Sequence, residues 1–218
     1  MNRRKLLKGM TGLALAEYLG ALNAAFAAGG KLPPPGMHRL SGKVEVNGRP
    51  ATQGMAISAG DTITTGGDGE AIYIIGNDAY LQRDRSTVTL TSNALTKGLR
   101  VLNGKLLSVF GKGAKRIETS TATIGIRGTG CYIEAEPNKV YFCLCYGIAD
   151  VASLKDPTHS ETIETRHHDH PVYLHADGTQ MMVPADVINH SDSELILLES
   201  LVGRLPPFYG ASGGYDKY

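Results

Sequence analysis

From Ser41 to Val151 the chain is written in short runs of β-branched and apolar residues, broken each time by Gly, Asn or Asp: "KVEV", "DTITT", "AIYII", "AYLQR", "STVTLT", "KLLSVF", "TIGI", "CYIEA" and "VYFCLC". Each run suits one strand and is too short for a helix. No helix-length apolar period interrupts them, which argues against a doubly wound α/β fold. The expectation is therefore all-β: an antiparallel β-sandwich or rolled β-domain, followed by a short C-terminal helix. Tryptophan is absent, so the core has to rest on Ile, Leu, Val, Tyr and a few Phe.

Turn chemistry fits antiparallel pairing. Asn47-Gly48, Gly76-Asn77-Asp78 and Asn103-Gly104 supply residues that tolerate positive φ and are expected to close hairpins, as is Pro137-Asn138. The helix is expected over about 192–202. Ser191-x-x-Glu194 is a capping box, Leu195, Leu198, Leu201 and Val202 form one stripe, and Gly203, Pro206 and Pro207 stop it.

The first residues, "MNRRKLLKGMTGLALAEYLGALNAAFAAGG", combine a basic start, a modestly apolar stretch and Ala25-Phe26-Ala27, an A-x-A cleavage site. Residues 1–27 read as a signal peptide, and "NRRKLLK" resembles the twin-arginine export motif through Arg3, Arg4, Leu7 and Lys8. The expected product is a periplasmic protein with no membrane span after cleavage. A Pro/Gly-rich tether follows over 28–40, then a β-domain over 41–153, then an extension over 154–218 with further strands and the helix. The whole chain has a formal net charge of +1. Cleavage removes Arg3, Arg4, Lys5, Lys8 and Glu17 and leaves a slight acidic excess, which argues against nucleic acid as a partner.

Residues 44 to 153 resemble the FecR-type periplasmic domain family. The resemblance rests on "VNGRPATQGMAISAGDTITTGGDGEAIYIIGNDAYLQRDRSTVTL", with its Gly60-Asp61-x-Ile63-x-Thr65 phrase, on "LNGKLLSVFG", and above all on "TSTATIGIRGTGCYIE". The family carries a T-x-x-A-x-x-G-V-R-G-T phrase before a strand; here it runs from Thr119 to Thr129, with Ile126 in place of Val. What the resemblance implies is a non-catalytic sensory or interaction module, with an unidentified protein or small ligand of the periplasm as its partner. The best-known members regulate an extracytoplasmic sigma factor through a membrane helix and a cytoplasmic segment that have no counterpart here. Arg127, Gly128 and Thr129 read as a structural corner, with Gly128 expected at positive φ.

All three cysteines fall between Cys131 and Cys145. In "CYIEAEPNKVYFCLC" the alternation of a hairpin puts Cys131, Ile133 and Ala135 inward with Val140, Phe142 and Leu144, and sends Tyr141, Cys143 and Cys145 to the other face. Cys131 is then opposite Leu144. A loop of odd length would instead bring Cys131 against Cys143 or Cys145, where a disulfide could close. Cys143 and Cys145 sit about 6.6 Å apart along one strand, at the limit of disulfide reach. They are half of a possible metal site whose other half is "RHHDHP": His168 and His170 share one strand face, His167 and Asp169 the other. Cys143, Cys145, His168 and His170 would suit zinc or copper, and the same clusters would serve a haem-binding or redox protein. The competing reading is inert thiols and a solvated histidine cluster, with no cofactor. No nucleophile elbow, H-E-x-x-H phrase or phosphate-binding loop occurs, so an enzyme is not expected.

Overall fold

A computed structural model of the chain describes residues 31–92, 97–176 and 182–210; the signal peptide expected over 1–27 lies outside them. In chain order the strands are β1 (Gly36–Ser41), β2 (Val44–Val46), β3 (Arg49–Pro50), β4 (Thr62–Thr65), β5 (Glu70–Ile75), β6 (Asp78–Gln82), β7 (Thr87–Ser92), β8 (Lys97–Val109), β9 (Ala114–Glu118), β10 (Ala122–Arg127), β11 (Gly130–Ala135), β12 (Lys139–Ser153), β13 (Ser160–Thr165), β14 (Val172–His175) and β15 (Met182–Pro184). One helix, α1 (Asp192–Leu201), follows among the described residues. The fold is all-β with a short C-terminal helix.

The strands form two sheets that share β8 and β12. In the first the order is β1-β5-β6-β8-β11-β12-β14-β15; in the second it is β3-β2-β4-β7-β8-β9-β10-β12-β13. Every pairing is antiparallel except that of β8 with β9. One apolar core lies between the sheets, drawing Tyr73, Leu106, Ile133 and Phe142 from the first and Ile63, Val88, Leu99 and Val151 from the second.

Two long strands pass from one sheet to the other, and glycine sits at each passage. β8 pairs with β7 up to Asn103 and with β11 from Gly104 onward. Asn103-Gly104 is therefore a bend within a strand, not the hairpin turn expected from its sequence. Gly104 has φ +88, and a Cβ there would lie 2.2 Å from Ser86 Oγ, so only glycine fits. β12 changes partners in the same way at Gly147, φ +100: Lys139–Tyr146 run with β11 and β14, Gly147–Ser153 with β10 and β13. Asn47 and Gly48 do close a hairpin, at φ 52 and 73. Gly128, between β10 and β11, has φ +62.

The domain limits shift at both ends. β1 begins at Gly36 and buries Met37 in the core, so the extended segment expected over 28–40 gives way to a strand before Ser41. The segment after 153 continues the same body, because β13 and β14 pair directly with β12.

The first sheet is covered on both faces. Tyr80, Leu106 and Cys131 point into the shared core, while Leu81, Leu107, Tyr132, Cys143 and Cys145 are buried on the opposite face, outside that core. Helix α1 packs over β6 and β8 there, burying Leu195, Leu197, Leu198 and Leu201. Its start is the expected capping box: Ser191 accepts from the Glu194 amide, and the Glu194 carboxylate accepts from the Ser191 amide.

Candidate metal centre

The β11–β12 hairpin has the register in which Cys131 lies opposite Leu144 and Tyr132 opposite Cys143. Cys131 therefore points into the shared core, while Cys143 and Cys145 project from the other face toward the C-terminal segment. All three cysteines are buried and unbridged.

Two further elements bring imidazoles to the thiols. The turn between β13 and β14 is drawn tight by Asp169, whose carboxylate accepts from Thr165 Oγ1 at 2.9 Å and from the Arg166 amide at 2.8 Å. These donors hold the carboxyl below the ordinary aspartate range, the Arg166 amide most strongly. Inside that turn His168 takes φ +53, and its amide donates to the Cys145 carbonyl at 3.0 Å. Its Nδ1 then lies 3.3 Å from Cys143 Sγ. His190 comes from the residue before the α1 cap. Its ring stacks on Tyr132 at 4.6 Å, and its Nε2 sits 3.1 Å from His168 Nδ1. The donor atoms of Cys143, Cys145, His168 and His190 all lie within 4.8 Å of one another, and all four residues are buried.

Of the four residues expected from sequence, the fold gathers three. His170 is exposed and lines a separate surface cavity with Glu161, Glu164 and Asp169. Strand alternation does not apply across a turn with a residue at positive φ, so sharing parity with His168 does not give His170 the same direction. His190 takes the fourth place. No spacing to the cysteines or to His168 marks it in the sequence; it arrives from a separate element and is held by the Ile188 carbonyl and the Tyr132 ring.

Outer partners fix both rings. His168 Nε2 is 3.1 Å from Asp192 Oδ1, in the first turn of α1, and Asp192 also takes His167 Nε2 at 2.8 Å. His190 Nδ1 is 2.7 Å from the Ile188 carbonyl. A carboxylate and a carbonyl only accept, so these ring nitrogens carry protons; while both rings are neutral, His168 Nδ1 and His190 Nε2 are lone pairs, and a proton gained by His168 sits at Nδ1, between Cys143 Sγ and His190 Nε2. Electrostatics favour negative charge at one of the two thiols, Cys143. Hydrogen bonds from Cys145, then from His168 and His190, pull the Cys143 thiol well below its ordinary range against the opposing effect of burial. Burial and the neighbouring Cys143 push Cys145 up. Burial disfavours charge on His168, but contact with Cys143 and Asp192 raises it overall. Two sulfurs and two imidazole nitrogens converging on one point can hold a soft or borderline cation, or share protons in its absence.

The Arg127-Gly128-Thr129 corner is remote in role. Arg127 and Gly128 are exposed, Thr129 is buried, and the Thr129 carbonyl accepts from the Phe110 amide at 2.8 Å, tying the corner to the end of β8.

No family model matches the chain, and no curated protein matches it. Among solved structures it is similar to two crystal structures, at 1.65 and 2.50 Å resolution, of a "putative anti-sigma factor" from Parabacteroides distasonis ATCC 8503. Each shares 8% identity with a TM-score of 0.48, over 57% of this chain and 59% of that one. The chain thus spans less than two thirds of the length of those structures, and a likeness at this level carries no functional argument.

Proposed function

We propose that this chain is an exported, non-catalytic periplasmic module whose outer sheet face holds one zinc-class metal ion through Cys143, Cys145, His168 and His190. The observation that carries the reading is the convergence of four buried donor atoms within 4.8 Å of one another, with His168 Nδ1 and His190 Nε2 3.1 Å apart beside two thiols and both outer ring nitrogens already hydrogen-bonded. Two neutral rings so oriented would face lone pair to lone pair, which a shared proton or a bound cation relieves. A tetrahedral ion bonded at about 2.3 Å to sulfur and about 2.0 Å to imidazole sets N···N and N···S separations of roughly 3.3 and 3.5 Å. The observed 3.1 and 3.3 Å lie within a few tenths of these. Asp192 behind His168 is the outer carboxylate that metal-bound imidazoles commonly have.

Four buried protein donors fill a tetrahedral sphere, which suits a structural ion and leaves no position for a substrate. A haem iron takes only one or two protein ligands, so four convergent donors favour a bare ion over haem. The regulatory, exported part of the reading is supported by the FecR-like phrase at Thr119–Thr129 and by the leader of residues 1–27. Elemental analysis of the exported, purified chain tests the metal: one zinc per chain is expected, with thiols that react only after chelation. Metal-free protein with thiols indifferent to chelator overturns it.

A further inference from the structure

We infer, resting on the metal reading above, that the ion is a clasp: it holds the segment 186–209 against the first sheet, and its removal releases that segment and uncovers the sheet's outer apolar face.

The ligands divide unevenly along the chain. Cys143 and Cys145 belong to β12 and His168 to the turn that hydrogen-bonds Cys145, so three donors stay together whatever the C-terminal segment does. His190 and the outer Asp192 come from the segment itself. With an ion bound, the segment closes the coordination sphere. Without it, the segment loses the bond through which His190 closes the sphere, and docking still holds His190 Nε2 3.1 Å from His168 Nδ1 with no ion between them, so the loss falls on the docked state.

The segment has other anchors as well: an apolar layer of Leu195, Leu197, Leu198 and Leu201, Phe208 against Tyr146 and His167, and a set of polar contacts, several of them partly wetted. Arg83 donates to the Asn189 carbonyl at 2.9 Å and to Glu194 at 2.7 Å, and Tyr141 donates to the Asp186 carbonyl at 3.0 Å. Arg204 donates to the Asn77 carbonyl at 2.6 Å, and the Tyr146 hydroxyl on β12 meets Glu199 of α1. Beneath them lie Leu81 and Leu107, neighbours on β6 and β8, which α1 shields. The β-sandwich core on the other side of that sheet contains no ligand of the site, so the body can persist while the outer layer opens.

Hydrogen exchange read by mass spectrometry on the full chain tests this, comparing zinc-loaded, chelator-stripped and zinc-restored protein. Amides of 188–204 are expected to exchange at least about tenfold faster after stripping and to recover on restoration, with β7 and β10 unchanged. The loaded His190→Ala variant, which keeps three donors, is expected to exchange there like the stripped chain. One zinc per chain with no change in 188–204 on stripping overturns the clasp and leaves the metal reading standing. Acceleration of every strand together also overturns it, since the ion then supports the whole fold. A chain that takes up no zinc removes both.

Discussion

His167 and His168 share one carboxylate. Asp192 Oδ2 lies 2.8 Å from His167 Nε2 and Asp192 Oδ1 lies 3.1 Å from His168 Nε2, yet only His168 reaches on to a thiol. Asp192 is almost wholly buried, and its position in the first turn of α1 places its charge where the helix dipole favours an anion. The two rings thus have different work. His168 relays the carboxylate to the four-donor cluster, while His167, stacked on Phe208 at 4.5 Å, fastens the turn to the end of the C-terminal segment.

That difference is measurable through Asp192. Asp192→Asn keeps an acceptor for His168 but removes the charge, and zinc affinity should fall about 10- to 100-fold, in line with other outer-shell substitutions. His167→Ala should leave affinity near wild type. Competition against a chromophoric chelator reads both. Equal affinity in wild type and Asp192→Asn would remove the carboxylate from the site's design.

Cys143→Ser and Cys145→Ser each delete one thiolate donor. Zinc affinity should fall further than on loss of an imidazole, and most of the stability that wild type loses on chelation should already be missing. With free zinc a thousandfold above its dissociation constant, that loss is about 4 kcal/mol. Thermal melts with and without chelator measure it. A double variant that melts with untreated wild type would mean the cysteines act only as packing residues.

The strand pattern was legible because its period is short and each break carries Gly or Asn; the inward and outward sets of β11 and β12 follow from side-chain alternation alone. Gly104 shows where such reading stops. A glycine at positive φ serves a hairpin or a bend between sheets equally well, and only the partners of the flanking halves distinguish them. The centre was half legible for the same reason. Cys143 and Cys145 lie in a regular strand, where parity holds, whereas His168 sits in a turn set by the hydrogen bonds of Asp169, and His190 arrives from a different element. Sequence order does not state which loops meet.

Cys131 lies on the other face of the sheet, in the shared core, where burial pushes its thiol far above the ordinary range. Cys131→Ala should leave one zinc per chain and cost about 1 kcal/mol or somewhat more through the small cavity. Unfolded, chelated but unreduced wild type should show three titratable thiols. A count of one would reveal a disulfide and contradict the register of β11 on β12.

The two corner glycines should respond differently, because positive φ and close approach are separable costs. A Cβ at Gly128 meets nothing within 4 Å, so Gly128→Ala should show backbone strain alone, about 1 kcal/mol, and the branched Gly128→Val about 1–3 kcal/mol. A Cβ at Gly147 would lie 2.5 Å from Thr129 Cγ2 and 3.1 Å from Thr129 Cβ, in addition to its φ of +100. Gly147→Ala should therefore cost clearly more than Gly128→Ala in urea unfolding. Removing Cγ2 relieves part of the overlap, so in a double-mutant cycle Thr129→Ala should recover some of the Gly147→Ala loss and none of the Gly128→Ala loss. Additive behaviour at 147 and 129 would show that β12 turns its corner without leaning on Thr129.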